Sequence, residues 1–323
     1  MGGRLAVMPV AEAGSRLWHA GFRPGWWDVL ARRAERRAVA TVPYYRERWA
    51  FGPDPGCSGR PCRPAPVPAG ELADQLERLC PLARPWRPDR EPSLWIGRPG
   101  PLRTALALAG LLAPGLPKPA RPPSGAIAPG SPAPGPPGPG VPGPGVPVLE
   151  VRRALVDWCR LGPVGPPYAV LLAEDAEVAS AARHAALTVP AAALAVRAGR
   201  ALLVGPPEQL PAAASRLRQA LDDSRLPLLA VHRCTAAAAA AGPAPDRPAL
   251  LHDPYLGYFG AAVPSCGEYH LDWTRFHARA APGGVALTAL HRRRPTLVAV
   301  QPAEPGFTAV TRCARHRSPV LVR

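Results

Sequence analysis

The sequence predicts an α/β fold: a largely parallel sheet with crossover connections, an α+β portion at the C-terminal end, and an interruption by a disordered proline-rich tether. The sheet is predicted by three short apolar segments, "YAVLLA" (168–173), "RALLVG" (200–205) and "LPLLAVH" (226–232), which are separated by stretches of helical length. The tether is predicted by composition. Residues 113–147 are rich in proline and glycine and cannot bury enough apolar surface to offset the entropy of ordering.

These observations divide the chain into three segments. An N-terminal helical or mixed segment covers 1–112, the proline-rich linker covers 113–148, and an α/β domain covers 149–323. Because the linker separates two stretches of ordinary hydrophobic content, we expect it to be dispensable for folding.

The remaining elements follow from periodicity and from breaker residues. Helices are predicted over 26–40, 70–80, 101–112, 174–187 and 206–221, and further short strands over 284–290, 295–300 and 307–313. The first helix is amphipathic, with Trp27, Leu30, Ala34 and Ala38 on one face, and Pro43 follows its end. The last helix is opened by Pro206 and Pro207, since proline is favoured in the first turn.

Charge and cysteine content restrict the environment of the protein. The net charge of +16 raises nucleic acid as a partner, but the basic residues are dispersed and Lys118 is the single lysine among them, a skew typical of GC-rich coding sequences. We therefore expect a solvated surface, with no nucleic-acid partner.

The start of the chain lacks a secretory signal, and its longest apolar run is too short to span a bilayer. An odd number of cysteines, seven, favours thiols or metal ligands. We expect a cytoplasmic protein with no membrane partner.

Two cysteine–histidine pairs near the C-terminal end predict a metal site. "CGEYH" places Cys266 and His270 four positions apart, and "CARH" places Cys313 and His316 three positions apart. Zinc prefers four thiolate and imidazole ligands in a tetrahedron, often supplied as two close pairs. With all four positions filled by protein, such a zinc is structural and holds no reactive water. The alternative is two buried thiols beside incidental histidines.

The residues around these pairs resemble the phenylacetate–CoA ligase-like proteins of the adenylate-forming superfamily. The similar segments are "CGEYHLDW", "ALTALHRRRPTLV", "RCARHRSPVLVR", "RRAVATVPYYRERW" and "ALLVGPPEQLPAAASRL", which together cover about half of the chain. The resemblance implies an ATP-dependent carboxylic acid ligase that uses ATP and magnesium on an acyl or aromatic acid. It also implies zinc on the matching cysteines and histidines, as in some members.

The chain departs from that family where the family handles ATP. A Ser/Thr/Gly-rich phosphate loop is missing, and the segment "HDPYLGYFGA" has Tyr258 and Phe259 where the family has an acid. The candidate nucleotide- or substrate-binding residues that remain are Asp253, Tyr255 and Tyr258. The ribose-binding aspartate is absent from "PTLVAVQPAE", and Lys118 lies in the proline-rich linker instead of a C-terminal lid.

These departures leave three functional hypotheses. The leading one is a diverged family member that has lost most ATP-dependent ligase chemistry and binds an acyl or aromatic acid, or a partner or carrier protein, as an accessory component of a biosynthetic pathway. The second is an active acid–AMP or CoA ligase that holds magnesium on Asp253 or Glu268. The third is an arginine-rich nucleic-acid-binding module. No catalytic residue is predicted.

Overall fold

The computed structural model describes nine stretches of the chain. These are residues 21–50, 65–87, 100–112, 145–154, 159–162, 165–177, 179–221, 226–242 and 247–323. Most of the predicted tether, 113–144, lies outside the described residues, and its end at Val148 is the first residue of a strand.

The described residues form six α-helices and thirteen strands. The helices are α1 (Pro24–Thr41), α2 (Pro43–Ala50), α3 (Gly100–Leu108), α4 (Ala181–Ala198), α5 (Leu210–Leu221) and α6 (Ala236–Ala241). The strands are β1 (Val67–Pro68), β2 (Val148–Arg152), β3 (Tyr168–Leu172), β4 (Ala201–Gly205), β5 (Leu228–Cys234), β6 (Ala249–Asp253), β7 (Gly257–Val263), β8 (Glu268–Leu271), β9 (Phe276–Ala281), β10 (Gly284–Ala289), β11 (Val300–Gln301), β12 (Ala309–Arg312) and β13 (Pro319–Val322). None of the helices in this part of the chain has the length and apolar character needed to cross a membrane.

Nine of the strands form one large mixed sheet in the order β12-β13-β8-β7-β6-β5-β4-β2-β3. The neighbours from β3 to β6 pair in parallel, and those from β6 to β12 pair antiparallel. The remaining four strands form a smaller sheet in the order β1-β11-β10-β9. The predicted α/β class is confirmed as a mixed α/β fold.

Each face of the large sheet is covered by helices whose apolar residues match the strands below them. Helices α4 and α5 cover one face around Leu149, Leu203 and Leu217. Helix α3 covers the opposite face, where it contacts β6 and β7 and Leu106 belongs to the same core as residues of β2 to β7. The smaller sheet shares a third core with α1 and with the antiparallel end of the large sheet. Because both faces of the sheet are buried, the sequences of the parallel strands are nearly continuous runs of apolar residues.

Local signals account for the helix ends. Helix α1 has Pro24 in its first turn, and it ends before Pro43, as predicted. Helix α4 begins where the hydroxyl of Ser180 accepts a hydrogen bond from the amide of Arg183, and it ends at Gly199 with a φ of 65°. The cap at Ser180 places this helix later than the predicted 174–187.

The helix predicted over 70–80 is wrong. A single 3₁₀ turn, Ala69–Leu72, is followed by irregular turns. Two carbonyls of this segment accept hydrogen bonds from distant amides: Arg78 from Tyr44, and Leu79 from Thr296. Short-range bonds within the segment, such as that from the amide of Leu79 to the carbonyl of Gln75, do not form a continuous ladder. Leu72, Leu76 and Leu79 are nevertheless buried, so the apolar periodicity here reflects packing and does not produce a helix.

Candidate metal centre

Pairing between β8 and β13 brings the two predicted cysteine–histidine pairs together. Cys266 lies in the turn before β8, and His270 lies on β8 itself. Cys313 and His316 lie in the loop between β12 and β13. Strand β13 pairs antiparallel with β8, with Val320 opposite His270, so the loop is held beside the turn.

Both loops are tight turns that aim their side chains at one point. The amides of Cys266 and Gly267 both donate to the carbonyl of Val263, and Gly267 has a φ of 73°. In the second loop the amide of Arg317 donates to the carbonyl of Cys313, and Arg317 has a φ of 57°. A left-handed conformation costs a residue with a side chain about 1–2 kcal/mol, so other interactions of this loop must compensate for it.

The four side chains bring potential metal-binding atoms close together. One ligand atom from each residue lies within 4.8 Å of the other three. The Sγ of Cys266 is 3.1 Å from Nε2 of His270, and the Sγ of Cys313 is 3.5 Å from Nδ1 of His316. Tetrahedral zinc with ordinary bond lengths places sulfur and nitrogen ligands about 3.5 Å apart. These residues could therefore hold a metal ion.

The second nitrogen of each imidazole is held by a serine. Nδ1 of His270 lies 2.9 Å from the hydroxyl of Ser318, and Nε2 of His316 lies 3.1 Å from the hydroxyl of Ser265. His270 and Ser318 are both fully buried. Metal-ligating histidines characteristically donate their other N–H to such a partner, which fixes the tautomer that leaves the ligating nitrogen bare. The serines thus orient both rings towards the centre of the cluster.

The surroundings of Cys266 keep its thiol protonated at neutral pH unless a cation is bound. Burial raises the pKa of Cys266 to about 11. A hydrogen bond to the backbone of Glu268 opposes this effect, and the neighbouring Cys313 adds to it. Two thiolates cannot be held so close together in a partly buried site without a positive charge between them. A metal ion supplies that charge and deprotonates the thiols that bind it.

Asp253, the first of the candidate nucleotide-binding residues, is buried at the end of β6. Its Oδ1 accepts hydrogen bonds from the amides of Tyr255 (2.8 Å) and Leu256 (3.0 Å), and its Oδ2 accepts one from the amide of Ala303 (2.7 Å). The carboxylate therefore ties the β6–β7 turn to a distant segment.

The two tyrosines are also engaged by the protein itself. Tyr258 is buried, and its hydroxyl donates to Oε1 of Glu150 at 2.6 Å. Tyr255 is half-buried, and its carbonyl accepts a hydrogen bond from Nη1 of Arg292 at 3.0 Å. Asp253 and Tyr258 thus direct their polar atoms at other protein groups.

The sequence did not identify the residues that support the metal ligands. Ser265 directly precedes Cys266, and Ser318 comes two residues after His316, so a hydroxyl next to each ligand pair was the available signal. Glu150 and Arg152 were also missed. They lie two positions apart in the otherwise apolar strand "VLEVR", so their side chains share one face of the sheet. That spacing was the signal for a polar group on a buried face.

No protein-family model, curated protein or solved structure matches the chain. The class of the protein is therefore defined by its own features, a mixed α/β fold with a Cys₂His₂ cluster at one end of its large sheet.

Proposed function

We propose that the chain is a diverged relative of the phenylacetate–CoA ligase-like proteins that has lost most ATP-dependent ligase chemistry. In this proposal it acts as a binding or accessory component of a biosynthetic pathway, with an acyl or aromatic acid or a partner or carrier protein as its ligand. The main observation in support of the proposal concerns Asp253. Its two carboxylate oxygens accept three backbone hydrogen bonds and are therefore already used by the protein.

The argument rests on what adenylation requires. The reaction concentrates negative charge on the phosphates, and enzymes stabilise it with magnesium, positive side chains and amide donors. A magnesium ligand must offer carboxylate oxygens to the ion, and the oxygens of Asp253 are committed to amides. Losing one such electrostatic contact commonly costs about 10²–10³ in rate. The sequence lacks the phosphate loop and the ribose-binding aspartate as well, so the losses combine.

The Cys₂His₂ cluster has a structural role in this proposal. Zinc is the metal best matched to two thiolates and two imidazoles, and with four protein ligands it leaves no position for a reactive water. It would fasten the β12–β13 hairpin to β8 at one end of the large sheet. In this proposal the proline-rich segment is a tether that ends where β2 begins at Val148, and it links the N-terminal segment to the α/β domain on which α1 and α3 pack. The protein is proposed to work in the cytoplasm.

The experiment that tests the proposal is ATP–pyrophosphate exchange by the purified chain with a panel of aryl and acyl acids. We expect no exchange above the background measured without acid. Robust exchange with any carboxylic acid overturns the proposal and favours an active ligase with a reorganised site. An exchange-competent adenylate-forming enzyme assayed in parallel verifies that the conditions detect the reaction.

A further inference from the structure

A second polar cluster lies on the face of the large sheet that α3 covers. At its centre is Glu150, whose side chain is 1% exposed. Its Oε2 accepts a hydrogen bond from the hydroxyl of Tyr168 at 2.6 Å, and its Oε1 accepts one from Tyr258, also at 2.6 Å. Two arginines reach the same Oε1: Nε of Arg152 at 3.1 Å and Nη1 of Arg233 at 3.4 Å. We name these five residues the Glu150 cluster.

The curvature of the sheet makes this face concave. Tyr258 lies on β7 and Glu150 lies on β2, which are four positions apart in the sheet. In a flat sheet those strands would be roughly 19 Å apart, more than the two side chains can span together. Their hydrogen bond therefore requires the sheet to curl towards the α3 side, which surrounds the arginines with protein.

The arginines lie where α/β sheets commonly bind ligands. Arg152 is the last residue of β2, and Arg233 is the next-to-last residue of β5. These strands run in parallel with β4 between them, so both arginines lie at the carboxyl ends of parallel strands. Ligands of open α/β sheets bind at this edge, outside the carboxyl ends.

The charges of the cluster are unequal. Arg152 and Arg233 contribute two positive charges and Glu150 one negative charge, so these three side chains carry a net +1. Each guanidinium offers five N–H donors, about ten in all, and Glu150 is contacted by one nitrogen of each. A surplus positive charge in a mostly buried place costs free energy unless an anion balances it.

His252 extends the cluster without adding charge. Its ring packs edge to face on Tyr258 at 4.7 Å between centroids. Burial, with the positive charges of Arg233 and Arg152 adding to it, holds the pKa of His252 well below its usual range. The imidazole therefore stays neutral and leaves the surplus charge on the arginines.

Solvent reaches the positive groups but not the carboxylate. The side chains of Arg152 and Arg233 are 16% and 15% exposed, against 1% for Glu150. A small anion can thus approach the guanidinium groups from solvent, while Glu150, itself held by the two tyrosine hydroxyls, contacts them from the buried side. The planar guanidinium matches carboxylate and phosphate oxygens in pairs.

We propose that Arg152 and Arg233 form a binding site for a small singly charged oxyanion, such as a carboxylate or a phosphate group. For its biological use this inference rests on the proposed binding role, because it names the chemistry by which a ligand would be held. The two ideas fail separately. Pyrophosphate exchange overturns the first, and absence of anion binding overturns the second.

The test is isothermal titration calorimetry of the full chain with benzoate and with inorganic phosphate, at an ionic strength held constant with chloride. We expect saturable binding of one anion per chain for at least one probe. Tighter binding of benzoate assigns the site to carboxylates, and tighter binding of phosphate assigns it to phosphoryl groups. Lack of saturable binding by either probe overturns the proposal.

Two variants test whether the anion binds at the Glu150 cluster. Arg233→Gln should weaken binding roughly 10- to 100-fold, the range expected for loss of a charged hydrogen-bonding partner. Arg153→Gln is the matched control, because Arg153 adjoins Arg152 but is 76% exposed and pairs with Asp175 on the surface. An equal loss in both variants contradicts the assignment, since it indicates nonspecific attraction by the positive surface.

Arg233→Lys covers the case in which the glutamine variant does not fold. It keeps the charge beside Glu150 and removes the planar fork, so binding should weaken several-fold while circular dichroism stays unchanged. A folded Arg233→Lys chain that binds the probes as tightly as the unmodified protein overturns the proposal.

Discussion

The Cys₂His₂ cluster and Asp253 lie two strands apart in the same sheet, yet their polar atoms have opposite environments. Asp253 on β6 has three backbone amides as donors for its two oxygens. Beyond β7, on β8 and the β12–β13 loop, the ligand atoms of two cysteines and two histidines lie within 4.8 Å of one another. Amide donors occupy both oxygens of the carboxylate, whereas the thiols and imidazoles of the cluster contact one another and form the set of ligands that zinc prefers.

That difference separates two kinds of buried polar residue. A group whose partners are complete within the protein stabilises the fold, and a group of potential ligands that converge on a common point indicates an ion. Asp253 and the two cysteine–histidine pairs were both selected as candidate binding residues from short sequence motifs. The contacts, and not the residue types, distinguish them.

The strongest test of the comparison is the metal itself. The protein should carry about one zinc per chain, and Cys313→Ser should lower the melting temperature sharply, because structural zinc can couple on the order of 10 kcal/mol into folding. Elemental analysis and thermal unfolding measure the two effects. Cys159→Ser is the control, since Cys159 is exposed and outside the cluster. A gently purified chain without metal would contradict the zinc assignment.

The next effect concerns Asp253. Asp253→Ala should lower the free energy of unfolding by about 3 kcal/mol or more, because it leaves three amides without their acceptor. Urea denaturation measures the change. Asp175→Ala removes an exposed carboxylate that pairs with Arg153 and should cost less than about 1 kcal/mol. If the two variants are equally stable, Asp253 is not the structural residue described above.

A smaller effect is expected from the serines behind the histidines. Ser318→Ala removes the fully buried partner of His270 and should weaken zinc binding about 10-fold or more, as is usual for residues that orient metal ligands. Competition with a chromophoric chelator measures the affinity. Ser265→Ala should have a smaller effect because Ser265 is only half-buried. Unchanged affinity in both variants would show that the hydroxyls do not orient the rings.

The smallest effect is expected at Glu150. Burial raises the pKa of Tyr258, so its hydroxyl stays protonated and donates to Glu150 throughout the neutral range. Tyr258→Phe should therefore cost about 1–2 kcal/mol of unfolding free energy. Tyr168→Phe removes the equivalent bond to the other oxygen and should cost a similar amount. A double variant whose loss equals the sum of the single losses would show that the two bonds act independently.

Local patterns in the sequence were sufficient for the elements that depend on neighbouring residues. The strands predicted at 168–173, 200–205 and 226–232 coincide with β3, β4 and β5 to within a few residues, because a short apolar run between turn residues is itself the signature of a buried strand. The two cysteine–histidine pairs were visible for the same reason, since each pair lies within one short segment.

Tertiary structure decided everything that depends on which strands pair. The pairing of β8 with β13 brings His270 close to His316, and the curl of the sheet brings Tyr258 to Glu150, 108 residues away in sequence. The same holds for Asp253, whose third donor is the amide of Ala303. Periodicity and spacing describe contacts over a few residues. The partners of a buried polar atom are chosen by hydrogen bonds between segments that only the folded chain brings together.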